Sequence, residues 1–231
     1  MKANMSSLKC KSGITMPKYT HVIWDWNGTL FDDVGWCISV INKMLAKRSI
    51  KTLDSAEAYH KVFCFPIIKY YTNIGFDFEK EPFEALAKEF ISLYHSEQTG
   101  GCKLNSHAEA VLERLRRANI SQIILSASET GLLLSQVGGF DIIHYFDALL
   151  GLSDIYAKSK IDIGLEYMAG KGIENAVLIG DTEHDYETAK ALGADCLLVA
   201  VGHQSRERLL KCGVPVMENL TQTADYICGS I

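Results

Sequence analysis

Residues 22–30 read Val-Ile-Trp-Asp-Trp-Asn-Gly-Thr-Leu, an apolar run that meets an aspartate and then turns sharply. A run of this kind is typical of a buried strand, which would leave Asp25 at the carboxyl end of a sheet. Ligands of open α/β sheets bind along this edge. Taken alone, the segment fits two interpretations: Asp25 is a metal ligand or nucleophile, or it is a turn residue that caps the next helix.

Apolar runs alternate with helical patterns along the rest of the chain, and this alternation predicts the fold class. We predict strands at residues 20–24, 122–125, 148–152, 176–181 and 196–201, with an edge strand at 214–216. We predict helices at residues 34–47, 53–59, 62–71, 81–94, 108–118, 130–138, 161–169, 185–192 and 206–211. Strands that alternate with helices form βαβ units, so we expect a Rossmann-like, doubly wound parallel sheet of the α/β class.

The domain organisation follows from a block that has no strand pattern. Residues 33–101 read as helices only, and we predict that they form an all-helical cap inserted after the first strand. Residues 19–32 and 102–231 would form the Rossmann-like core, and residues 1–18 would be an N-terminal extension.

Composition limits the classes of partner. The net charge is −5 and the pI is about 5.8, which argues against nucleic acid or an anionic membrane as the main partner. No apolar run in the sequence is long enough for a membrane span, and residues 1–18 lack the apolar core of a secretory signal. The seven cysteines are scattered without a C-x-x-C pair, as in a reducing compartment. We expect a cytoplasmic protein with a small-molecule substrate, and leave open whether it is a monomer or a homodimer.

Polar residues at the predicted strand ends form a set that fits phosphoryl transfer. Because these ends share one sheet edge, residues far apart in sequence can converge there. Carboxylates hold a hard divalent cation, a lysine neutralises phosphate charge, and a hydroxyl with backbone N–H groups binds phosphate oxygens. The set consists of Asp25, Asn27, Ser126, Lys158 or Lys160, Asp181 and Asp185.

Over residues 19–216 this set resembles the four motifs of the haloacid dehalogenase-like hydrolases, and residues 179–185 are similar to the phosphoglycolate-phosphatase-like branch. The helical insertion resembles the small helical cap of that superfamily. The resemblance implies that Asp25 is the nucleophile, which forms an aspartyl-phosphate. It implies a phosphate site and a Mg²⁺ site. The phosphate would contact Gly28, Thr29, Ser126, Ala127 and Lys160, and Mg²⁺ would be held by Asp25, the carbonyl of Asn27, Asp181 and Asp185, the last directly or through water.

The choice of lysine is less direct, because the family motif usually has Lys followed by Pro and this chain has no proline there. Lys160 immediately precedes the predicted helix, where a lysine that faces the phosphate should lie. We therefore favour Lys160 over Lys158.

Asn27 is the main departure from the family pattern, which has a second aspartate at this position as the general acid and base. An amide can neither give nor take that proton, and such help is typically worth about 10²–10⁴-fold in rate. The carbonyl ligand survives, so we expect a Mg²⁺-dependent phosphatase that is slow on alkyl phosphates and faster on acyl or aryl phosphates. The alternatives are a catalytically weak phospho-ligand-binding relative, or a dehalogenase or phosphonatase. Retention of Asp181 and Asp185 favours a metal and a phosphate.

Two further residues carry two interpretations each. His203 follows a strand end and could face the site, but we favour a surface loop with Ser205 capping the next helix. Arg48 could bind a substrate carboxylate, but we favour a solvated helix end.

Overall fold

The computed structural model describes residues 18–96, 101–153 and 159–229. Lys158 and residues 1–17 of the predicted extension lie outside these ranges.

A six-stranded parallel sheet forms the centre of the molecule, with strand order β5-β4-β1-β6-β7-β8. A separate antiparallel ribbon is formed by β2 and β3. The strands are β1 His21–Trp24, β2 Phe31–Asp32, β3 Lys103–Leu104, β4 Ser121–Glu129, β5 Ala148–Leu152, β6 Ala176–Gly180, β7 Asp195–Val199 and β8 Val216–Met217. Strands β4 and β5 lie on one side of β1, and β6, β7 and β8 lie on the other. The strand order therefore reverses at β1, and the carboxyl ends of β1, β4 and β6 mark the switch point of the sheet.

Helices cover both faces of this sheet, which confirms the predicted Rossmann-like α/β fold class. The helices are α1 Val34–Lys47, α2 Ala56–Val62, α3 Ile67–Asn73, α4 Phe83–Ser96, α5 Ala108–Arg117, α6 Thr130–Gly138, α7 Lys160–Lys171, α8 Glu183–Leu192, α9 Arg206–Leu209 and α10 Leu220–Ile227. Short 3₁₀ turns occupy Ile143–Tyr145 and Leu210–Cys212. Alternate residues of β1 supply the two cores: Val22 and Trp24 pack with α5, α6 and α10, whereas Ile23 packs with α7, α8 and α9.

The four helices α1 to α4 follow the first strand and have an apolar core of their own. The ribbon β2–β3 stands where the chain enters and leaves this helical block, and it was not predicted because two residues per strand are too few for a periodic pattern. Beside it, Asn105 Nδ2 donates to the carbonyls of Gly28 (3.0 Å) and Thr29 (2.8 Å). The return point of the block is therefore tied to the turn that follows β1.

Several element bounds differ from the sequence prediction for local reasons. The predicted helix at 53–59 begins at Ala56, because Ser55 caps it by accepting from Ala58 N–H at 3.1 Å. The predicted helix at 62–71 begins only at Ile67, after Pro66, which disfavours helical backbone at the residue before it. The C-terminal helix α10 was missed altogether, although Asn219 caps it.

Within the part of the chain that the structure covers, no helix combines the length and apolar character needed to cross a membrane.

Candidate active site

Three carboxylates meet at the carboxyl edge of the sheet. Asp25 directly follows β1 and Asp181 directly follows β6, the neighbouring strand. Asp25 N–H donates to the carbonyl of Ile179 at 2.9 Å, which extends the ladder to the aspartate itself. Asp185 joins them from the first turn of α8, and the three residues offer carboxylate oxygens within 4.8 Å of one another. All three side chains are buried.

Lys160 lies against two of these carboxylates. It is the first residue of α7, which begins at a capping box formed by Ser159 and Asp162. Its Nζ donates to Asp25 Oδ1 at 2.5 Å and to Asp185 Oδ1 at 2.8 Å. The structure thus places the favoured lysine in contact with the predicted nucleophile.

The turn after β1 brings its backbone and a hydroxyl onto the same carboxylates. Gly28 has a φ of +77°, and a Cβ there would lie 2.4 Å from Asp181 Oδ2. A side chain at residue 28 is therefore excluded by both the backbone conformation and the contact. Thr29 Oγ1 donates to Asp181 Oδ1 at 3.0 Å and lies 3.4 Å from Asp25 Oδ2.

Ser126 and Ala127 lie on β4, which continues beyond the predicted bound to Glu129. The pairing of Trp24 with Ile124 places Ser126 one step beyond the level of Asp25 at the same edge. Ser126 is buried, and its Oγ accepts from the N–H of Ser128 at 3.1 Å. Ala127 is exposed. The two residues lie on the adjacent strand, but Ser126 Oγ bonds to Ser128 on that same strand, and within the residues that the structure describes no hydrogen bond joins it to the carboxylate cluster.

The Asn27 amide is held on both sides by hydrogen bonds. Nδ2 donates to Asp33 Oδ2 at 2.9 Å and to the Tyr94 hydroxyl at 3.2 Å. Oδ1 accepts from Ser128 Oγ at 2.7 Å. Tyr94 belongs to α4 and Ser128 to the end of β4, so this amide links the turn after β1, β4 and the helical block. The sequence motifs did not predict that Asp33, Ser128 and Tyr94 would lie at this site.

Asp33 and His203 form a buried ion pair beside the carboxylates. His203 Nε2 lies 3.2 Å from Asp33 Oδ1, and Nδ1 lies 2.8 Å from the Tyr59 hydroxyl of α2. Burial alone would lower the pKa of His203, but the Asp33 carboxylate raises it to about 9. Burial opposes ionisation of Asp33, yet His203 holds the pKa of that carboxyl below its usual range. Both groups are therefore charged at neutral pH, and the imidazolium donates through both nitrogens.

The interpretation of His203 as a surface residue was wrong. The side chain is buried, and its backbone N–H donates to Asp181 Oδ2 at 2.6 Å. Ser205 precedes α9 but makes no side-chain capping bond. The position of His203 just beyond β7, at the edge that carries the aspartates, was the one signal that could have identified it.

Arg48 also differs from both interpretations. Its guanidinium is largely buried within the helical block, where it bonds to Glu81 (2.8 Å from Nη2) and to Glu89 (2.6 Å from Nη2). A third donor, Nη1, reaches the carbonyl of Met44 at 3.0 Å. Arg48 joins parts of this block and is not a solvated helix end; the carboxylates that it binds are those of Glu81 and Glu89, not that of a substrate.

The cluster carries more negative charge than Lys160 can balance, and its donors suit Mg²⁺. Burial raises the pKa of Asp25 to about 8, and that of Asp181 to about 6. Burial would also raise the pKa of Asp185, but Lys160 holds it below its usual range. One ammonium faces three carboxylates, and carboxylate oxygens are the ligands that Mg²⁺ prefers. The residues present therefore fit a hard divalent cation.

A doubly wound sheet with a helical insertion after its first strand, and an Asp–Lys cluster at its switch point, defines a class of capped α/β hydrolases. The sequence profile of the family described as haloacid dehalogenase-like hydrolase matches residues 22–199. The chain belongs to this family, and is thus a hydrolase.

Two curated relatives are each 24% identical to this chain over the aligned residues. A candidate pyrophosphatase, PpaX, of Caldanaerobacter subterraneus subsp. tengcongensis is 24% identical over 192 residues, which is 79% of this chain and 82% of the relative. A phosphoglycolate phosphatase of Rhodospirillum rubrum is 24% identical over 224 residues, with 92% and 91% covered. The haloacid dehalogenase-like family protein SP0104 of Streptococcus pneumoniae has a similar structure, with a TM-score of 0.76, 20% identity and coverage of 90% and 98%.

Proposed function

We propose that this chain is a cytoplasmic, Mg²⁺-dependent phosphatase of small phosphorylated metabolites. The observation that carries the proposal is the contact between Asp25, at the end of β1, and Lys160, within a cluster that includes Asp181 and Asp185. The names of two relatives, a phosphoglycolate phosphatase and a candidate pyrophosphatase, support phosphate ester or anhydride chemistry.

In the proposed reaction, Asp25 acts as the nucleophile. A carboxylate oxygen of Asp25 attacks phosphorus, the bond from phosphorus to the leaving oxygen breaks, and an aspartyl-phosphate forms. Water then attacks phosphorus, the bond to the Asp25 oxygen breaks, and inorganic phosphate leaves with the carboxylate restored. Lys160, Ser126 and the backbone N–H of Ala127 would bind the phosphate oxygens. The N–H groups of Gly28 and Thr29 already donate within the turn, to Asp33 and to the carbonyl of Trp26.

The metal ligands would be Asp25, the carbonyl of Asn27, Asp181 and Asp185. When bound, Mg²⁺ would supply positive charge that offsets the charge on the phosphoryl group. Thr29 and the N–H of His203 hold the two oxygens of Asp181, and Thr182 holds Asp185 Oδ2. These hydrogen bonds set the directions in which the carboxylates present their remaining lone pairs.

Asn27 determines which leaving groups this site can expel. Its Nδ2 donates to Asp33 and Tyr94, so the group at this position has no proton to exchange with a substrate oxygen. A leaving group of low basicity needs no such proton. We therefore expect acyl and aryl phosphates to react faster than alkyl phosphates.

Burial of the cluster supports a small substrate. Asp25 is 8% exposed and Lys160 is 5% exposed. Two side chains of the helical block contact residues beside the cluster: Tyr59 bonds to His203, and Tyr94 donates to Asp33. A nucleic acid or a folded protein would not reach groups buried to this degree. Movement of the helical block away from the core would admit the substrate, and its return would exclude water.

Phosphate release from acetyl phosphate and p-nitrophenyl phosphate tests this function. We expect turnover with Mg²⁺, none in EDTA, and none in the Asp25→Asn variant, which keeps the shape of the side chain but not its nucleophilic charge. A halogenated substrate tests the alternative. Halide release from it that continues in EDTA would support a dehalogenase and refute the phosphatase.

A binding protein without turnover is the second candidate, and the saturated hydrogen bonds of Asn27 favour it. Mg²⁺-dependent binding of inorganic phosphate by calorimetry, with no release from either activated substrate, would establish that candidate.

A further inference from the structure

We infer that Asp33 and His203 act as one positioning unit, which orients two of the proposed Mg²⁺ ligands: the carbonyl of Asn27 and the carboxylate of Asp181. The inference rests on the proposed function, because the ligand roles of those groups come from it. Neither residue belonged to the site predicted from sequence.

The first half of the unit acts through one peptide group. Asp33 Oδ1 accepts from the N–H of Gly28 at 3.0 Å, and the carbonyl of Phe31 accepts from the same N–H at 2.8 Å. That N–H and the carbonyl of Asn27 belong to the same planar peptide unit and point in opposite directions. Asp33 and the Phe31 carbonyl together hold the N–H, and thereby the direction of the Asn27 carbonyl. The negative charge behind the N–H also polarises the peptide group, which makes the carbonyl oxygen a better ligand for a cation.

The second half acts through the backbone of His203. Its N–H donates to Asp181 Oδ2 at 2.6 Å, so the rotation of that carboxylate depends on where residue 203 lies. The position of residue 203 is in turn set by the imidazolium, which contacts Asp33 on one side and Tyr59 on the other. The close fit of Gly202, whose Cβ would lie 2.1 Å from Asp181 Oδ2, leaves the loop little room to shift.

The Asp33–His203 ion pair is better suited to orient the proposed metal ligands than to stabilise the fold. A buried ion pair contributes little net stability relative to apolar residues of the same volume, because desolvation offsets the attraction. Each partner, however, also bonds to a separate element of the site: Asp33 to residues 27 and 28, and His203 to Asp181. Loss of either partner would leave the other charge buried without its counter-ion, held only by its remaining hydrogen bonds.

Mg²⁺ binding by titration calorimetry, on the full chain, tests the inference without relying on activity. We compare the parent with Asp33→Asn, His203→Gln and the double variant, and measure kcat and KM for p-nitrophenyl phosphate beside each titration. Asp225→Asn is the control, since it removes a partly exposed ion pair with Arg114 that joins α5 and α10. Thermal unfolding reports how much of each variant is folded.

We expect each single substitution to weaken Mg²⁺ binding by about 10–100-fold, as loss of outer partners of metal ligands usually does. At saturating Mg²⁺ we expect a lower kcat with little change in KM. Because the two residues act as one unit, the double variant should bind Mg²⁺ no more weakly than the single variant that has the lower affinity. The control should match the parent in Mg²⁺ affinity.

Unchanged Mg²⁺ affinity in both folded single variants would refute the inference, as would losses that multiply in the double variant. If Asp33→Asn does not fold, His203→Gln decides the matter by its Mg²⁺ affinity and its kcat. A parent that binds Mg²⁺ but releases no phosphate refutes the proposed function and leaves the calorimetric comparison decisive for the pair. A parent that binds no Mg²⁺ refutes both.

Discussion

Replacement of Asn27 by the aspartate that the family pattern has at this position should not by itself create a faster enzyme. In the structure Asn27 Nδ2 lies 2.9 Å from Asp33 Oδ2, so Asn27→Asp would bring two carboxylate oxygens together. The hydrogen bond lost is one to a charged group, worth about 1.5–3 kcal/mol. A carboxylate at residue 27 would then face a neighbour of the same charge in a buried setting.

The repulsion can be estimated from that distance. Two unit charges about 3 Å apart, at an effective dielectric constant of about 20, repel by about 5–6 kcal/mol. At about 1.4 kcal/mol per unit, this would raise one pKa by about 4 units before the offset from the His203 imidazolium. The pair would therefore share a proton at neutral pH. The new carboxyl would hold its proton against Asp33 and would not be available as a base.

The exchange variant, Asn27→Asp with Asp33→Asn, avoids this repulsion. The amide at residue 33 would donate to the carboxylate at residue 27, and Ser128 could still donate to it from the other side. We expect phosphate release from an alkyl phosphate to be faster in the exchange variant than in either single variant, which serve as matched controls. General acid–base help is worth about 10²–10⁴-fold, which sets the upper limit of the gain.

Unfolding measured against pH provides an independent check. A carboxyl whose folded pKa is raised stabilises the fold at low pH and loses that contribution as pH rises through the folded pKa. The Tm of Asn27→Asp should thus fall relative to the parent as pH increases, and the exchange variant should not show this fall. If Asn27→Asp alone matched the exchange variant in turnover and in Tm, the carboxylate at residue 27 would not feel Asp33, and the reasoning would be refuted.

Three further predictions concern the metal, the turn and the last helix. In EDTA, stability should decline from about pH 4 to about pH 8, because burial raises the pKa of Asp181 from 3.8 to about 6 and that of Asp25 from 3.8 to about 8, and each contribution is lost between the unfolded and the folded pKa. Thermal scans with Mg²⁺ should lack the decline. Gly28→Ala should cost about 1–3 kcal/mol in chemical denaturation and abolish Mg²⁺ binding, whereas Gly35→Ala, in an open position of α1, should be neutral or stabilising. Asn219→Ala should cost about 1 kcal/mol in the same assay, since the cap of α10 is lost.

The fold and the carboxylate cluster were predictable because their signals are local. Asp25 and Asp181 each end an apolar run, and Lys160 and Asp185 each stand in the first turn of a helix that follows. Parallel strands then bring those ends to one edge without any further information. The last helix also had a signal, an asparagine cap before apolar residues at helical spacing, and it was overlooked rather than absent.

The residues around Asn27 could not be predicted in this way. Asp33 and His203 are 170 positions apart, and Tyr94 reaches Asp33 from the helical block. Nothing in the spacing of a sequence indicates which loop residue will turn inwards, because such contacts depend on the final packing of elements. Hydrogen bonds and ion pairs between loops are therefore visible only in the folded molecule.

The substitution at residue 27 takes its meaning from residue 33. Considered alone, Asn27 is a missing acid and base, and it indicates an impaired enzyme. Beside Asp33, Asn27 is a hydrogen-bond donor to a buried carboxylate. It completes a set of donors that also includes Gly28, Tyr94 and His203. A second aspartate would add a like charge at 2.9 Å, whereas asparagine keeps the shape and supplies the proton. Amide and carboxylate thus occupy two neighbouring positions of one hydrogen-bond network, and we expect the activity of this site to depend on the pair.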